Sequence, residues 1–183
     1  MDSRGVSEFL YFVMSLGVEG IMVSPAYQYP QTPQKDIFLT RTQSISLFRN
    51  ILKLSNGRKW RFNHSILYLD FLAGNQAYEC TPWGNPTRNI FGWQRPCYLL
   101  TNEGYAPSFK ALMEETNWGS YGRGRHPKCT DCMLHSGFEP TAVHDAFMHP
   151  FKALWVSLRG PRTEGPIIQS LSNPAQDSSV SQF

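Results

Sequence analysis

An α/β fold that gives way near residue 75 to a small α+β, cysteine-rich subdomain is what the sequence predicts. Three observations lead there. An amphipathic helix followed directly by an apolar extended stretch opens the chain, and helical and extended patterns then alternate as far as Gly74. From Tyr78 to about Ser136 the texture changes to Gly, Pro, Trp and Arg, and all four cysteines of the 183 residues lie inside that region.

The first helix rests on Val6, Phe9, Leu10, Val13, Met14 and Leu16, which fall largely on one helical face, with Ser3 placed to cap it and Gly17 where a C-cap belongs. Arg4 ahead of an apolar run has the look of a signal peptide, but Glu8 and Glu19 interrupt the run and its period is helical. "EGIMVSP" then reads as a buried strand, completing an αβ unit. The loop "SPAYQYPQTPQKD", punctuated by Pro25, Pro30 and Pro33, leads to a helix from Arg41 to Leu54 carried by Ile45, Leu47, Phe48, Ile51, Leu52 and Leu54. "SNGRKWRFN" supplies a turn and a short strand, and "SILYLDFLAG" a helix closed by Gly74.

Residues 1–75 are therefore one unit and residues 76–163 a second. The second has few aliphatic side chains for a core, and small units of that kind commonly rely on a metal or disulfides. It contains a clear helix at "SFKALMEET" and a helical end, "FEPTAVHDAFMHPFKALWVSLRG", in which Pro150 suits the first turn of a new helix. On that end Phe147, Phe151, Leu154, Trp155 and Leu158 fall on or near one face, with Lys152, Arg159 and Arg162 nearby. Core packing explains such a stripe; a hydrophobic path or a membrane surface is the other account. The Ser- and Gln-rich residues 164–183 read as a disordered tail. There is no internal repeat.

Composition narrows the functions. A net charge of +3 with Lys and Arg scattered along the chain lacks the concentrated basic face of a nucleic-acid binder. No segment approaches the roughly 18 apolar residues of a membrane span, so the expected compartment is cytoplasmic. Thiols stay reduced there, which favours metal or redox chemistry over disulfides.

The cysteines follow the pattern Cys80-x11-Gly92-x4-Cys97-x31-Cys129-x2-Cys132. Two cysteines two residues apart can hold one metal centre together, and a hairpin over "PTRNIFGWQRPC", with Gly92 in a backbone conformation open to few other residues, would bring in a second pair. Zinc ribbons use two close-spaced pairs. One close and one wide pair suit an iron–sulfur cluster better, ahead of zinc and of uncoordinated or redox thiols. Arg88 and Arg95 flank Cys97 and are placed to offset the charge of four thiolates.

The spacing C-x9–15-G-x4-C followed by C-x2-C resembles the twitch subdomain, a shortened SPASM-type auxiliary-cluster domain of some radical S-adenosylmethionine (SAM) enzymes. "GVEGIMVSPAYQY", "LDFLAGNQAYECTPWGNPTRNIFGWQRPCYLL", "SFKALMEETNW" and "KALWVSLRGPRTEGP" resemble the C-terminal half of the hopanoid-biosynthesis radical SAM family, the adenosylhopene synthases, over about residues 5–166. The resemblance implies a bacterial enzyme that adds a 5′-deoxyadenosyl group to a hopene-type triterpene, forming adenosylhopane. Residues 1–75 would end a partial (β/α) radical SAM barrel, and Cys80, Cys97, Cys129 and Cys132 would hold an auxiliary 4Fe–4S cluster. The chain departs from the family twice: Ser136 stands where the family has a further cysteine, and no C-x3-C-x2-C is present. That motif holds the radical-generating cluster. The chain is accordingly expected to be inactive alone, with SAM bound only in the full-length enzyme context and a separately encoded barrel half as a partner. The implied location is cytoplasmic, with peripheral contact at the inner membrane. A self-standing iron–sulfur or zinc module working with a separate partner, or an inert gene fragment, are the alternatives.

Other residues have plainer readings. Of His64, His126, His135, His144 and His149, the pair His126 and His135 bracket the C-x-x-C and are the best placed to act there. Tyr27 and Tyr29 follow the expected strand, where barrel enzymes carry their sites; they form a substrate or cofactor loop or cover the barrel rim. Trp83 and Trp93 are expected to shield the metal centre. No residue is singled out as catalytic.

Overall fold

The computed structural model describes residues 3–29, 32–34, 36–54 and 60–168. Its elements make a mixed α/β unit of six α-helices and one small antiparallel sheet. The helices are α1 (Ser3–Ser15), α2 (Arg41–Leu54), α3 (Ile66–Leu72), α4 (Phe109–Glu115), α5 (His135–Met148) and α6 (Pro150–Arg159). The strands β1 (Arg88–Asn89), β2 (Gly92–Gln94) and β3 (Tyr105–Ala106) pair in chain order.

α1 forms where its periodicity places it, yet of the expected face Leu10 alone is buried, Val6 and Met14 are partly covered, and Phe9 and Leu16 stay exposed. Leu10 packs with Ile51 of α2 and with Trp60, against whose ring Tyr11 sits edge-on at 5.5 Å. The strand expected at "EGIMVSP" is reduced to a single parallel bridge between Ile21 and Phe62. Ile21 N–H donates to Arg61 O at 2.7 Å and Asn63 N–H to Ile21 O at 3.0 Å. Among the described residues the neighbour pairs at that one position, so alternation of apolar residues has no ladder to extend into. These elements do not show a (β/α) barrel. The turn expected at "SNGRKWRFN" lies largely outside the described residues.

α2 and α3 stand at the predicted places, and Gly74 closes α3 with φ +76°. The main core does not stop at residue 75. Ile45, Phe48, Leu67, Tyr68, Phe71 and Leu72 pack with Met133, Phe138, Ala142 and Val156. Rings of Phe71 and Phe138 stack at 4.7 Å. The change of texture in the sequence is thus a change of local structure, while α5 and α6 return to cover α3 and share one core with it. Inside α3, Asp70 is fully buried and accepts from Asn75 Nδ2 (2.8 Å), Gln76 Nε2 (2.6 Å) and Arg162 N–H (3.3 Å), which satisfies a charge otherwise costly to bury.

The start of the expected tail is also revised. Residues 164–168 are tied down: Ile168 N–H donates to Gly74 O (2.8 Å), Arg49 to Gly165 O (2.8 Å), and Lys53 pairs with Glu164 at 2.7 Å. Residues 169–183, the rest of that expectation, lie outside the described residues. Pro150 does begin α6. The stripe on that helix pair is exposed, which removes core packing as its account; α6 packs inward through Val156 and Ala153 instead. No described helix is long and apolar enough to cross a membrane.

Candidate metal centre

Cys80, Cys97, Cys129 and Cys132 line one cavity, closed further by Pro82, Pro96, Leu99, Leu100, Tyr121 and Phe138. Its volume is about 30 Å³. Each sulfur arrives by a different device. Cys80 is clamped to the start of α5, because Thr81 N–H donates to Gly137 O at 2.8 Å and Thr81 Oγ1 to the same oxygen at 3.1 Å. Gly137 is required there: a Cβ on it would collide with Cys80 Sγ. Cys97 leaves the sheet through a turn in which Leu100 N–H donates to Cys97 O at 3.2 Å. The β1–β2 hairpin forms as the sequence predicts, turning over Ile90 and Phe91, and Gly92 has φ +130° with only 2.7 Å between a Cβ built on it and Ala106 O. The hairpin positions Cys97 but not Cys80.

The C-x-x-C closes with Cys132 N–H donating to Cys129 O at 3.3 Å. Its far end is anchored in the core through Met133, which is fully buried and whose carbonyl accepts from Tyr68 Oη at 2.9 Å. Asp131, between the two cysteines, accepts from Arg41 N–H at 2.8 Å and so caps α2.

The electrostatics of the cavity oppose four bare thiolates. Burial, reinforced by the other three sulfurs, pushes the Cys80 thiol up; burial likewise raises Cys97 and Cys129, and lifts Cys132 to about 11. Backbone N–H groups pull the other way: those of Leu99 and Leu100 lower Cys97, that of Gly122 lowers Cys129 and that of Leu134 lowers Cys132. Amides aimed at three sulfurs favour the anionic form that binds metal. Among the described residues, no three His, Cys, Asp or Glu side chains are drawn together as around a single bound ion.

The cations that serve these sulfurs are not the ones the sequence pointed to. Arg95 pairs with Glu115 at 2.9 Å and Arg88 is exposed on the hairpin. Arg125 lowers Cys80 and Cys129, Arg123 lines the cavity, and Arg41 acts on Cys132. Arg41 is itself half-buried, which with the charge of Arg123 pulls its guanidinium down to about 10; it donates to Cys132 O at 3.2 Å and lies over the Phe71 ring at 5.1 Å. It remains charged at neutral pH.

Of the two tyrosines singled out, Tyr27 lines the cysteine cavity, and burial followed by the charges of Cys129, Cys132 and Cys97 raises its hydroxyl. Tyr29 stands behind it, edge-on at 5.3 Å. Their segment is held by His64, whose Nε2 accepts from Val23 N–H at 2.9 Å. With that nitrogen accepting, the ring proton is on Nδ1, which donates to Glu139 Oε2 at 3.1 Å, while Glu139 Oε1 takes Ser65 N–H at 2.5 Å. His126 faces Glu103 at 3.5 Å and His135 faces His64 at 5.9 Å, so neither bracketing histidine lines the cavity; His144 is exposed and His149 pairs with Asp145 at 2.7 Å. Trp83 packs on Trp118 and Trp93 on Phe109, leaving the apolar shell to Pro82, Pro96, Leu99, Leu100 and Phe138. Ser136 is buried in the cavity wall.

Residues 21–156 match the family described as a domain of unknown function, DUF3463. The chain belongs to that family. The DUF3463 span includes every residue of the cavity, the Tyr27 segment and the His64–Glu139 pair that holds it. No curated protein and no solved structure matches the chain.

Arg41 and Gly137 escaped sequence reasoning because their roles depend on α2 and α5 meeting the cysteine loops. A glycine just inside the start of an apolar helix was the one signal available for Gly137.

Proposed function

We propose that this chain holds an iron–sulfur cluster, of the 4Fe–4S type, on Cys80, Cys97, Cys129 and Cys132, as the auxiliary-cluster portion of a radical SAM enzyme of the adenosylhopene synthase kind. The observation that carries the reading is the convergence of all four cysteines on one cavity. Zinc ribbons draw their ligands from two close-spaced pairs, whereas here one pair is close and the other wide, which suits iron–sulfur ligation better. The backbone N–H groups that favour the anionic form of three sulfurs suit thiolate ligands.

The bound cluster supplies one-electron storage and transfer. The chain's own residues bind and shelter it: Arg41, Arg123 and Arg125 offset its negative charge, Tyr27 closes the cavity from the 20–29 segment, and the apolar wall excludes water. SAM and the hopene-type triterpene belong to the full enzyme, with a separately encoded barrel half as partner. The core shared across residue 75 favours a second reading, a self-standing cluster module working with a partner, over an inert fragment.

Anaerobic purification after expression with both iron and zinc supplied tests the reading. Iron and acid-labile sulfide in cluster proportion are expected, with a sharp loss of both in Cys97→Ala and Cys129→Ala. Stoichiometric zinc without sulfide would overturn it.

A further inference from the structure

The end of α5 and the outer face of α6 carry a bulky apolar stripe that the core does not use. Phe147, Phe151, Leu154, Trp155 and Leu158 recur at helical spacing across Pro150 and are 81, 85, 55, 65 and 76% exposed. Val156, 2% exposed, marks the inward face of the same helix. α6 is thus packed on one side, and its outer side presents large side chains to solvent. Contiguous patches of this kind mark interaction surfaces.

Charge indicates what covers it. α6 contains Lys152 and Arg159 and no acidic residue, and just beyond its Gly160 cap Arg162 turns its Nε back to Asn75 Oδ1 at 3.4 Å. Asp145, in the last turn of α5, is engaged by Tyr78 Oη (2.5 Å), Lys152 Nζ (2.6 Å) and His149 Nδ1 (2.7 Å), so it and Lys152 offset each other and Arg159 is the basic group left to this face. Phe and Trp on one face with Lys and Arg at its margins is the pattern of a helix lying in a lipid interface, rings at the headgroup level and basic side chains reaching the phosphates.

We propose that α6 and the end of α5 dock this protein on the surface of a bilayer containing anionic phospholipid. Phe151, Trp155 and Leu158 enter the boundary between headgroups and acyl chains, while Arg159 meets the phosphates. The site is independent of the metal centre, whose cavity no α6 residue lines.

Sedimentation of the full chain with phosphatidylcholine vesicles, with and without phosphatidylglycerol, tests this. Binding to the phosphatidylglycerol vesicles is expected, weakened by salt. The double variant Phe151→Asp, Trp155→Asp should lower partitioning by roughly tenfold or more with the melting curve preserved, since both side chains are exposed. Arg159→Glu should weaken binding while leaving the apolar stripe intact. Absence of binding to phosphatidylglycerol vesicles, or binding unchanged in the double variant, would overturn the proposal. So would light scattering that shows a dimer broken by the double variant in a protein that ignores vesicles, because a second copy would then cover the stripe.

Discussion

Gly137 has no room for a side chain, because a Cβ there would meet Cys80 Sγ. Gly137→Ala should therefore displace that sulfur or the start of α5, costing about 1–3 kcal/mol as an overpacked site does. Urea unfolding would give the cost, and iron analysis should show loading well below that of the native protein. The sulfurs themselves impose a pH dependence. Cys132 lies near 11 in the folded, metal-free protein against about 9 for a free thiol. A raised folded pKa gives stability that is complete below the unfolded value and lost as pH climbs through the folded one. Metal-free protein should weaken between about pH 9 and 11, and cluster-loaded protein should not, which denaturation at several pH values would check. At this scale the gathering of the cysteines was legible because spacing is a local fact, whereas the place of Tyr27 on their cavity was not, since the sequence put it on a substrate or cofactor loop or a barrel rim. Arg41, Arg123 and Arg125 displaced Arg88 and Arg95 because charge is felt through space, and proximity to Cys97 along the chain is not proximity to its sulfur.

Among the elements, helices formed where their periodicity placed them, and Ser108 opens α4 by accepting Ala111 N–H at 3.0 Å, while Ser3, expected as a cap, lies inside α1. The strand at "EGIMVSP" did not, since pairing needs a neighbour that periodicity cannot supply. What holds the 20–29 segment is the His64–Glu139 pair. Glu139→Ala would strand Ser65 N–H and the His64 ring proton in a half-buried site, a loss of about 1–3 kcal/mol. Chemical denaturation should show that loss, and the segment's amides should exchange faster with solvent. Unchanged exchange at Val23 would contradict the holding role given to the pair.

For the whole molecule, the sequence break near residue 75 marked a real change of texture yet concealed a common core, because contacts such as Phe71 with Phe138 join residues far apart along the chain. The four-cysteine centre and the missing C-x3-C-x2-C together lead to an outcome for the isolated chain. After reconstitution and dithionite reduction it should release no 5′-deoxyadenosine from SAM above a protein-free control. Sustained release abolished by Cys97→Ala would mean that the cluster is held differently, with Ser136 beside an open position. The claim beneath all of this is that four cysteines hold one cluster. Its most direct measurement is Mössbauer spectroscopy with iron and sulfide analysis of the reconstituted protein and of the four single Cys→Ala variants. One 4Fe–4S signal is expected in the native chain, reduced or altered by each of the four substitutions. A signal indifferent to any one of Cys80, Cys97, Cys129 or Cys132 would contradict it.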